Sequence, residues 1–205
     1  LNVLWNTGLN DNELRQIGKN IGADVPFCLM GGTALAEGIG EILTPLKPLP
    51  RMYLVLFKPE FGVSTADVYR AHDRTQASLA HEVPKESTPA VLSGIDNGDL
   101  DNVIAGIGNM LQNTTTVLYP EVQKIIDRLV DRGVKKALMC GSGPTVCAIV
   151  SDQEAAKKLK AECSGFSGKI YIGHTVLNGN FLLELRKRGE KVGRKKAYTY
   201  TIGKR

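Results

Sequence analysis

Two apolar segments separated by a glycine-rich loop constrain the fold of this chain most strongly. Residues 138–150 read LMCGSGPTVCAIV, and the segments on both sides of the glycines have the composition of buried strands. Gly141 and Gly143 let the backbone approach a ligand, consecutive N–H groups of such a loop can bind an anion, and Ser142 and Thr145 add hydroxyls. The loop matches neither the Walker A pattern nor GxGxxG. A plain tight turn between paired strands explains it at least as well.

The order of strand and helix patterns from residue 52 onward predicts the fold class. MYLVLFKP is typical of a buried strand, and Ser64 is a typical N-cap of a helix. Residues 99–113 have the pattern of a single helix. Pro120 opens another helix that stops at Gly133, and a helix at 152–163 and the strand KIYIGHTVL follow the glycine loop. The order β-α-α-α-β-β-α-β predicts an α+β fold, an antiparallel sheet covered on one side by helices. Residues 74–88 are predicted to be a surface loop or a variable helix.

The first fifty residues predict a smaller, separate module. LNVLWNTG is typical of the last turns of a helix, with Trp5 expected in the core, and a second helix runs from a cap at Asn10 or Asp11 towards Gly22. TALAEG and EILTPL are predicted to be short strands. Three prolines within residues 45–50 predict a linker at the end of the module.

Asp24 is the candidate catalytic residue of this module. It lies in GADVPF, where glycine permits a sharp turn and Pro26 restricts the backbone that follows. A carboxylate fixed in this way suits a phosphoryl-transfer enzyme, which must orient an acceptor hydroxyl or take its proton. A turn-forming or capping role is the more common explanation for a single aspartate near glycine.

Charge and composition exclude several classes of protein. The segment from Glu184 to Arg205 holds nine Lys or Arg against two acidic residues, so the rest of the chain is slightly acidic although the whole carries +5. No apolar run is long enough to cross a bilayer, and the four cysteines form no CxxC pair and have no clustered histidines. We therefore expect a cytoplasmic protein with no membrane partner and no metal held by its own side chains. The basic tail is more often a solvated extension than a surface for RNA.

Taken together, GADVPFC, GGTALAEGIGEILTPL, YLVLFKPEFGVSTADVYRA and CGSGPTVCAIV resemble the GHMP kinases, a superfamily of small-molecule kinases. GADVPF with EGxGE close behind it is similar in particular to the diphosphocytidyl methylerythritol kinases. The resemblance implies a remnant of the GHMP N-terminal domain at 1–50, a ferredoxin-like C-terminal domain at 51–178 and a basic extension at 179–205.

The resemblance also implies a reaction and its residues. Asp24 matches the catalytic aspartate, which activates the 2-hydroxyl of diphosphocytidyl methylerythritol for attack on the γ-phosphate of ATP, with Mg²⁺ neutralising the phosphates. Gly141, Ser142, Gly143 and Thr145 match the motif that helps to shape the nucleotide site. The expected product serves isoprenoid synthesis.

Two features of the family have no counterpart in this sequence. The family has a lysine partner for the aspartate and a PxxxGLGGGSS phosphate loop ahead of GADVP, and neither occurs here. Because phosphoryl transfer depends on positioning and charge stabilisation, we expect the chain alone to be an inactive, incomplete kinase. Exposed apolar surface makes a homodimer a further expectation. The alternative is a non-catalytic GHMP-like binding module whose basic tail contacts RNA.

Overall fold

The structure, a computed structural model, describes residues 2, 4–76 and 87–176 of the chain. Residues 51–175 form one compact unit, and the residues up to Pro50 belong to a second. The predicted basic extension at 179–205 lies outside the described residues, as does most of the predicted loop at 74–88.

The larger unit is built on a four-stranded antiparallel sheet. Its strands are β3 (Tyr53–Pro59), β4 (Lys136–Met139), β5 (Val146–Val150) and β6 (Gly168–His174), in the order β4-β5-β3-β6. β3 lies between β5 and β6, with Val55 opposite Ala148 on one side and Ile172 on the other. β3 reads as a nearly continuous apolar run because adjacent residues on its two faces, such as Leu54 and Val55, are both buried.

Helices cover one face of this sheet and enclose the core. The helices of this unit are α3 (Thr65–Gln76), α4 (Thr88–Asn97), α5 (Leu100–Gly106), α6 (Gln112–Leu118), α7 (Pro120–Val130) and α8 (Gln153–Glu162). Of these, α7 and α8 contact the strands, whereas α4 and α5 pack against each other. Val122, Ile126 and Leu129 recur at helical spacing on α7 and are buried against Phe57 and its neighbours in the sheet. The predicted α+β fold with an antiparallel sheet covered by helices is confirmed.

The segment before α7 differs from its prediction. The single helix predicted at 99–113 ends at Gly106, and the next helix, α6, begins only at Gln112. The apolar pattern in the sequence extends past Gly106 because Ile107 and Leu111 are also buried, but the backbone at these two residues is not helical. Asn109 explains the break: its Oδ1 accepts a hydrogen bond from the Leu111 amide at 3.0 Å, a local bond that competes with helix formation.

The smaller unit pairs two helices with a two-stranded sheet. α1 (Asp11–Ile21), α2 (Val25–Met30), β1 (Ala34–Glu37) and β2 (Ile42–Pro45) follow in order, and β1 and β2 pair antiparallel. Asn10 caps α1, with Glu13 returning a hydrogen bond to the Asn10 amide, so the predicted start of this helix is confirmed.

The beginning of the chain does not follow its prediction. Residues 4–6 form a turn in place of the expected helix end, and Trp5 is 67% exposed where a core position was predicted. The helical spacing of Leu1, Leu4 and Trp5 in the sequence was therefore misleading, because residues 4–6 form a turn and not a helix.

Candidate functional site

The connection between β4 and β5 is a hairpin loop closed by two backbone hydrogen bonds. The Cys140 amide donates to Thr145 O at 2.8 Å, and the Gly143 amide donates to Cys140 O at 3.0 Å. Gly141 and Gly143 have positive φ values of 57° and 89°, a region that glycine enters without steric cost. The predicted hairpin between paired strands is therefore present, with the glycines at the positions that the turn requires.

Three side chains from the segment before α7 make hydrogen bonds to this loop and to the end of β4. Asn109 Nδ2 donates to both Met139 O and Gly141 O at 2.8 Å. Gln112 Oε1 accepts from the Met139 amide at 2.8 Å, and the buried Thr115 hydroxyl donates to Ser142 O at 3.3 Å. The loop is thus fixed through its carbonyl groups.

The amides of Gly141 and Ser142 differ from their neighbours because no acceptor among the described residues takes their protons. Gly141 is exposed and Ser142 is partly exposed. Two adjacent N–H groups without an acceptor, on a loop whose carbonyls are fixed elsewhere, can bind an anion such as a phosphate oxygen.

The first turn of α3 also contacts the tip of the loop. The hydroxyl oxygens of Thr65 and Ser142 lie 2.8 Å apart, which places the first turn of α3 beside the loop. The Ser64 hydroxyl accepts from the Asp67 amide at 3.3 Å and caps that turn, as the sequence predicted.

Asp24 lies at the N-cap position of α2, in the smaller unit. It is exposed, whereas Pro26 and Phe27 directly after it are buried. Its carboxylate makes no capping hydrogen bond to the helix, so the common capping role does not explain this residue. Asp24 and the glycine loop belong to different compact units, and their sharing of one catalytic cavity stays a prediction.

The two cysteines that flank the loop interact with each other. A hydrogen bond with the Cys147 thiol lowers the pKa of Cys140, whereas the same contact, followed by burial, raises the pKa of Cys147. Both thiols are free. Cys140 is thus the more acidic thiol of the pair, and it directly precedes Gly141.

The described residues hold no cluster of three or more His, Cys, Asp or Glu that a metal ion would need. Among the same residues no helix is both long and apolar enough to cross a membrane.

Sequence reasoning identified the loop but missed the side chains that fix it. Asn109, Gln112 and Thr65 were assigned to predicted helices, Thr115 lay between two predicted helices, and none of the four was singled out. Asn109 was the one with a detectable signal, because asparagine inside a helical pattern tends to bond its own backbone and break the helix.

Comparison with known proteins identifies the larger unit. Residues 91–167 match the family described as "GHMP kinases C terminal". This segment contains α5 to α8, β4 and β5. It therefore includes the whole glycine loop and the side chains of Asn109, Gln112 and Thr115 that bond it.

Two curated relatives carry the name 4-diphosphocytidyl-2-C-methyl-D-erythritol kinase. The one from Moorella thermoacetica is 46% identical over 159 residues, which cover 78% of this chain and 55% of the relative. The one from Pelotomaculum thermopropionicum is 42% identical over 175 residues, covering 85% and 59%. The chain therefore spans somewhat more than half the length of the curated relatives it matches.

Solved structures agree with this relationship. A crystal structure of 4-(cytidine 5'-diphospho)-2C-methyl-D-erythritol kinase superposes with a TM-score of 0.68 and 28% identity, over 85% of this chain and 60% of that one. A homoserine kinase from Cytophaga hutchinsonii superposes with a TM-score of 0.62 at 18% identity, covers 87% of this chain and 61% of its own, and shares the fold. Residues 91–167 therefore belong to the GHMP kinase C-terminal family, and the chain is similar over most of its length to a kinase of that family.

Proposed function

We propose that this chain is part of an ATP-dependent kinase that phosphorylates the 2-hydroxyl of 4-diphosphocytidyl-2-C-methyl-D-erythritol. The observation that carries the proposal is the 46% identity over 159 residues with a relative named as that kinase. The product of such an enzyme would serve isoprenoid synthesis.

The glycine loop would bind a phosphate group of ATP. The adjacent amides of Gly141 and Ser142 have no acceptor in the described part of the chain, and the loop carbonyls are turned towards Asn109 and Thr115. Fixed N–H donors of this kind stabilise phosphate charge without having to reorganise during the reaction. The Ser142 and Thr145 hydroxyls are further donors on the same loop.

Asp24 would act as the general base. Its carboxylate takes the proton of the substrate 2-hydroxyl while that oxygen forms a bond to the γ-phosphorus and the bond from the γ-phosphorus to the β,γ-bridging oxygen breaks. ADP then leaves with the bridging oxygen. The exposed position of Asp24 directly ahead of α2 is compatible with this role.

Magnesium would bind mainly through the ATP phosphates, where it would neutralise their charge. Mg²⁺ retains several waters and needs only one or two protein carboxylates. The lack of an acidic cluster among the described residues is compatible with this mode of binding.

A chimera tests this proposal. The segment of this chain that matches 159 residues of the Moorella thermoacetica relative would replace those residues in that protein. With ATP, Mg²⁺ and the diphosphocytidyl substrate, we expect substrate-dependent release of ADP and a new phosphomonoester in the ³¹P NMR spectrum. A folded chimera that binds ATP but leaves the substrate unchanged would contradict the proposed reaction.

Two matched substitutions in the chimera test the role of Asp24. Asp24→Asn should lower kcat by about 10²- to 10⁴-fold, the usual contribution of a general base. Asp11→Asn, which removes an exposed carboxylate from the first turn of α1, should leave kcat within about twofold. Equal effects of the two changes would remove Asp24 from the mechanism.

The other predictions from sequence stay predictions. The RNA-binding alternative depends on the extension at 179–205, which lies outside the described residues. Homodimer formation has only indirect support from exposed apolar side chains, such as those of Ile17 and Ile21 on α1.

A further inference from the structure

The side chain of Asn109 uses both ends of its amide on backbone groups around the glycine loop. Nδ2 donates to Met139 O and Gly141 O, and Oδ1 accepts from the Leu111 amide. The orientation of the amide follows from these partners, because two carbonyls require the donor end and one N–H requires the acceptor end. One residue thus links the end of β4, the first glycine of the loop and the start of the next helical segment.

The planarity of the peptide group turns these bonds into a constraint on the loop amides. In a trans peptide the C=O of one residue and the N–H of the next point in opposite directions. When Gly141 O points towards Asn109, the Ser142 N–H must therefore point away from it. In the same way, the bond to Met139 O directs the Cys140 N–H towards Thr145 O, its observed acceptor.

We propose that Asn109 is a positioning residue, which holds the Ser142 amide in the direction where it meets a phosphate group of the nucleotide. This inference rests on the proposed function, since it assumes that the loop binds phosphate. Asn109 itself does not touch the nucleotide and acts through the two carbonyls that it holds.

No other side chain holds both carbonyls among the described residues. Thr115 bonds only Ser142 O, and Gln112 accepts from the Met139 amide, which belongs to the preceding peptide group. Replacement of Asn109 should therefore release the Gly141–Ser142 peptide while the Thr115 and Gln112 contacts persist.

Asn109→Asp isolates the donor end of the side chain. An aspartate keeps an oxygen for the Leu111 amide but cannot donate to Met139 O and Gly141 O when it is ionised. In the full chain, hydrogen exchange followed by NMR should show the Cys140 and Gly143 amides exchanging about tenfold faster or more, because two hydrogen bonds are lost. The Leu111 amide should exchange at its original rate.

Asn102→Asp is the matched control, because it adds the same carboxylate to an exposed position in the first turn of α5. It should leave all three exchange rates unchanged. Unchanged exchange at Cys140 and Gly143 in the Asn109→Asp variant, with the fold intact by circular dichroism, would overturn the inference.

A pH titration separates the hydrogen-bonding role from a general loss of packing. A protonated aspartate regains one O–H donor, so the ¹⁵N and ¹H shifts of Ser142 and Gly143 should return towards the unsubstituted values as the pH falls below about 4. A variant that had only lost packing would show no such return, and that outcome would also overturn the inference.

Inorganic triphosphate tests the link to the proposed function. It should shift the Ser142 amide resonance of the unsubstituted chain, and its affinity for the Asn109→Asp chain should be about tenfold lower. Equal affinities would overturn the positioning role. Failure of the unsubstituted chain to bind triphosphate would instead contradict the phosphate-binding role of the loop, and the exchange data would still decide whether Asn109 holds it.

Discussion

The hydroxyl oxygens of Thr65 and Ser142 lie 2.8 Å apart, which joins the first turn of α3 to the tip of the glycine loop across 77 positions of sequence. Both residues are at least partly exposed to solvent. The contact ties the tip of the loop to the start of α3.

The energetic coupling of this pair can be measured with a double-mutant cycle. Thr65→Val and Ser142→Ala each remove the hydrogen bond with little change in shape, so the cycle should give a coupling of about 0.5–1 kcal/mol in urea unfolding. If the two single losses add up to the double loss within about 0.3 kcal/mol, the contact contributes nothing to stability.

The two loop glycines should respond differently to replacement by alanine. A Cβ on Gly143 would lie 2.7 Å from Met139 Sδ, and Met139 is only 1% exposed and cannot easily move. The positive φ adds about 1–2 kcal/mol of strain and the overpacking about 1–3 kcal/mol. We expect Gly143→Ala to lower the free energy of unfolding by about 2–5 kcal/mol.

Gly141→Ala is the matched comparison for this change. Its φ is also positive, but a Cβ there would meet no atom within 4 Å. Only the strain of about 1–2 kcal/mol should remain. Equal losses in the two variants, measured by urea unfolding, would show that Met139 yields to the added methyl group.

Much of the fold was predictable because its signals are local. Asn10 and Pro120 begin helices where the sequence places them, and the apolar run of β3 is a central strand. The class of fold followed from the order of these elements, and the glycine loop followed from its composition.

The parts that were not predictable depend on contacts distant in sequence or on backbone geometry. Ile107 and Leu111 keep a helical spacing although the backbone there is not helical, so a pattern of buried residues gave no sign of the break at Asn109. The partners of that asparagine, Met139 O and Gly141 O, lie 30 and 32 positions away. Backbone carbonyls carry no sequence signal, so the hydrogen bonds from Asn109 to the loop could not be predicted from the sequence.

Two adjacent residues of α7 test which face of this helix packs against the sheet. Leu129 is 2% exposed and belongs to the main apolar cluster, whereas the adjacent Val130 is 57% exposed. Leu129→Ala should cost about 2–5 kcal/mol of unfolding free energy, because it removes buried methyl groups and leaves a cavity. Val130→Ala should stay within about 0.5 kcal/mol. Similar losses in both variants would mean that α7 presents a different face to the sheet.

The N-cap of α8 should make stability depend on pH in a predictable direction. Asp152 Oδ1 accepts from the Ala155 amide at 2.8 Å, and this bond, followed by one from the Ser151 hydroxyl, lowers the pKa of Asp152 below its ordinary 3.8. A carboxyl with a lowered pKa in the folded state stabilises the protein fully above its unfolded pKa. That contribution disappears as the pH falls from 3.8 through the lower folded value.

Asp152→Asn separates this effect from the other carboxylates, which titrate alike in both proteins. Asparagine caps a helix about as well as aspartate but does not titrate, so any advantage of the unsubstituted chain near neutral pH should shrink as the pH falls below 3.8. Asp152→Ala, which has no acceptor, should be less stable than Asp152→Asn at every pH. Urea midpoints measured over this range check both expectations, and a difference between Asp and Asn that stays constant with pH would show that the Asp152 carboxylate is not held by the Ala155 amide.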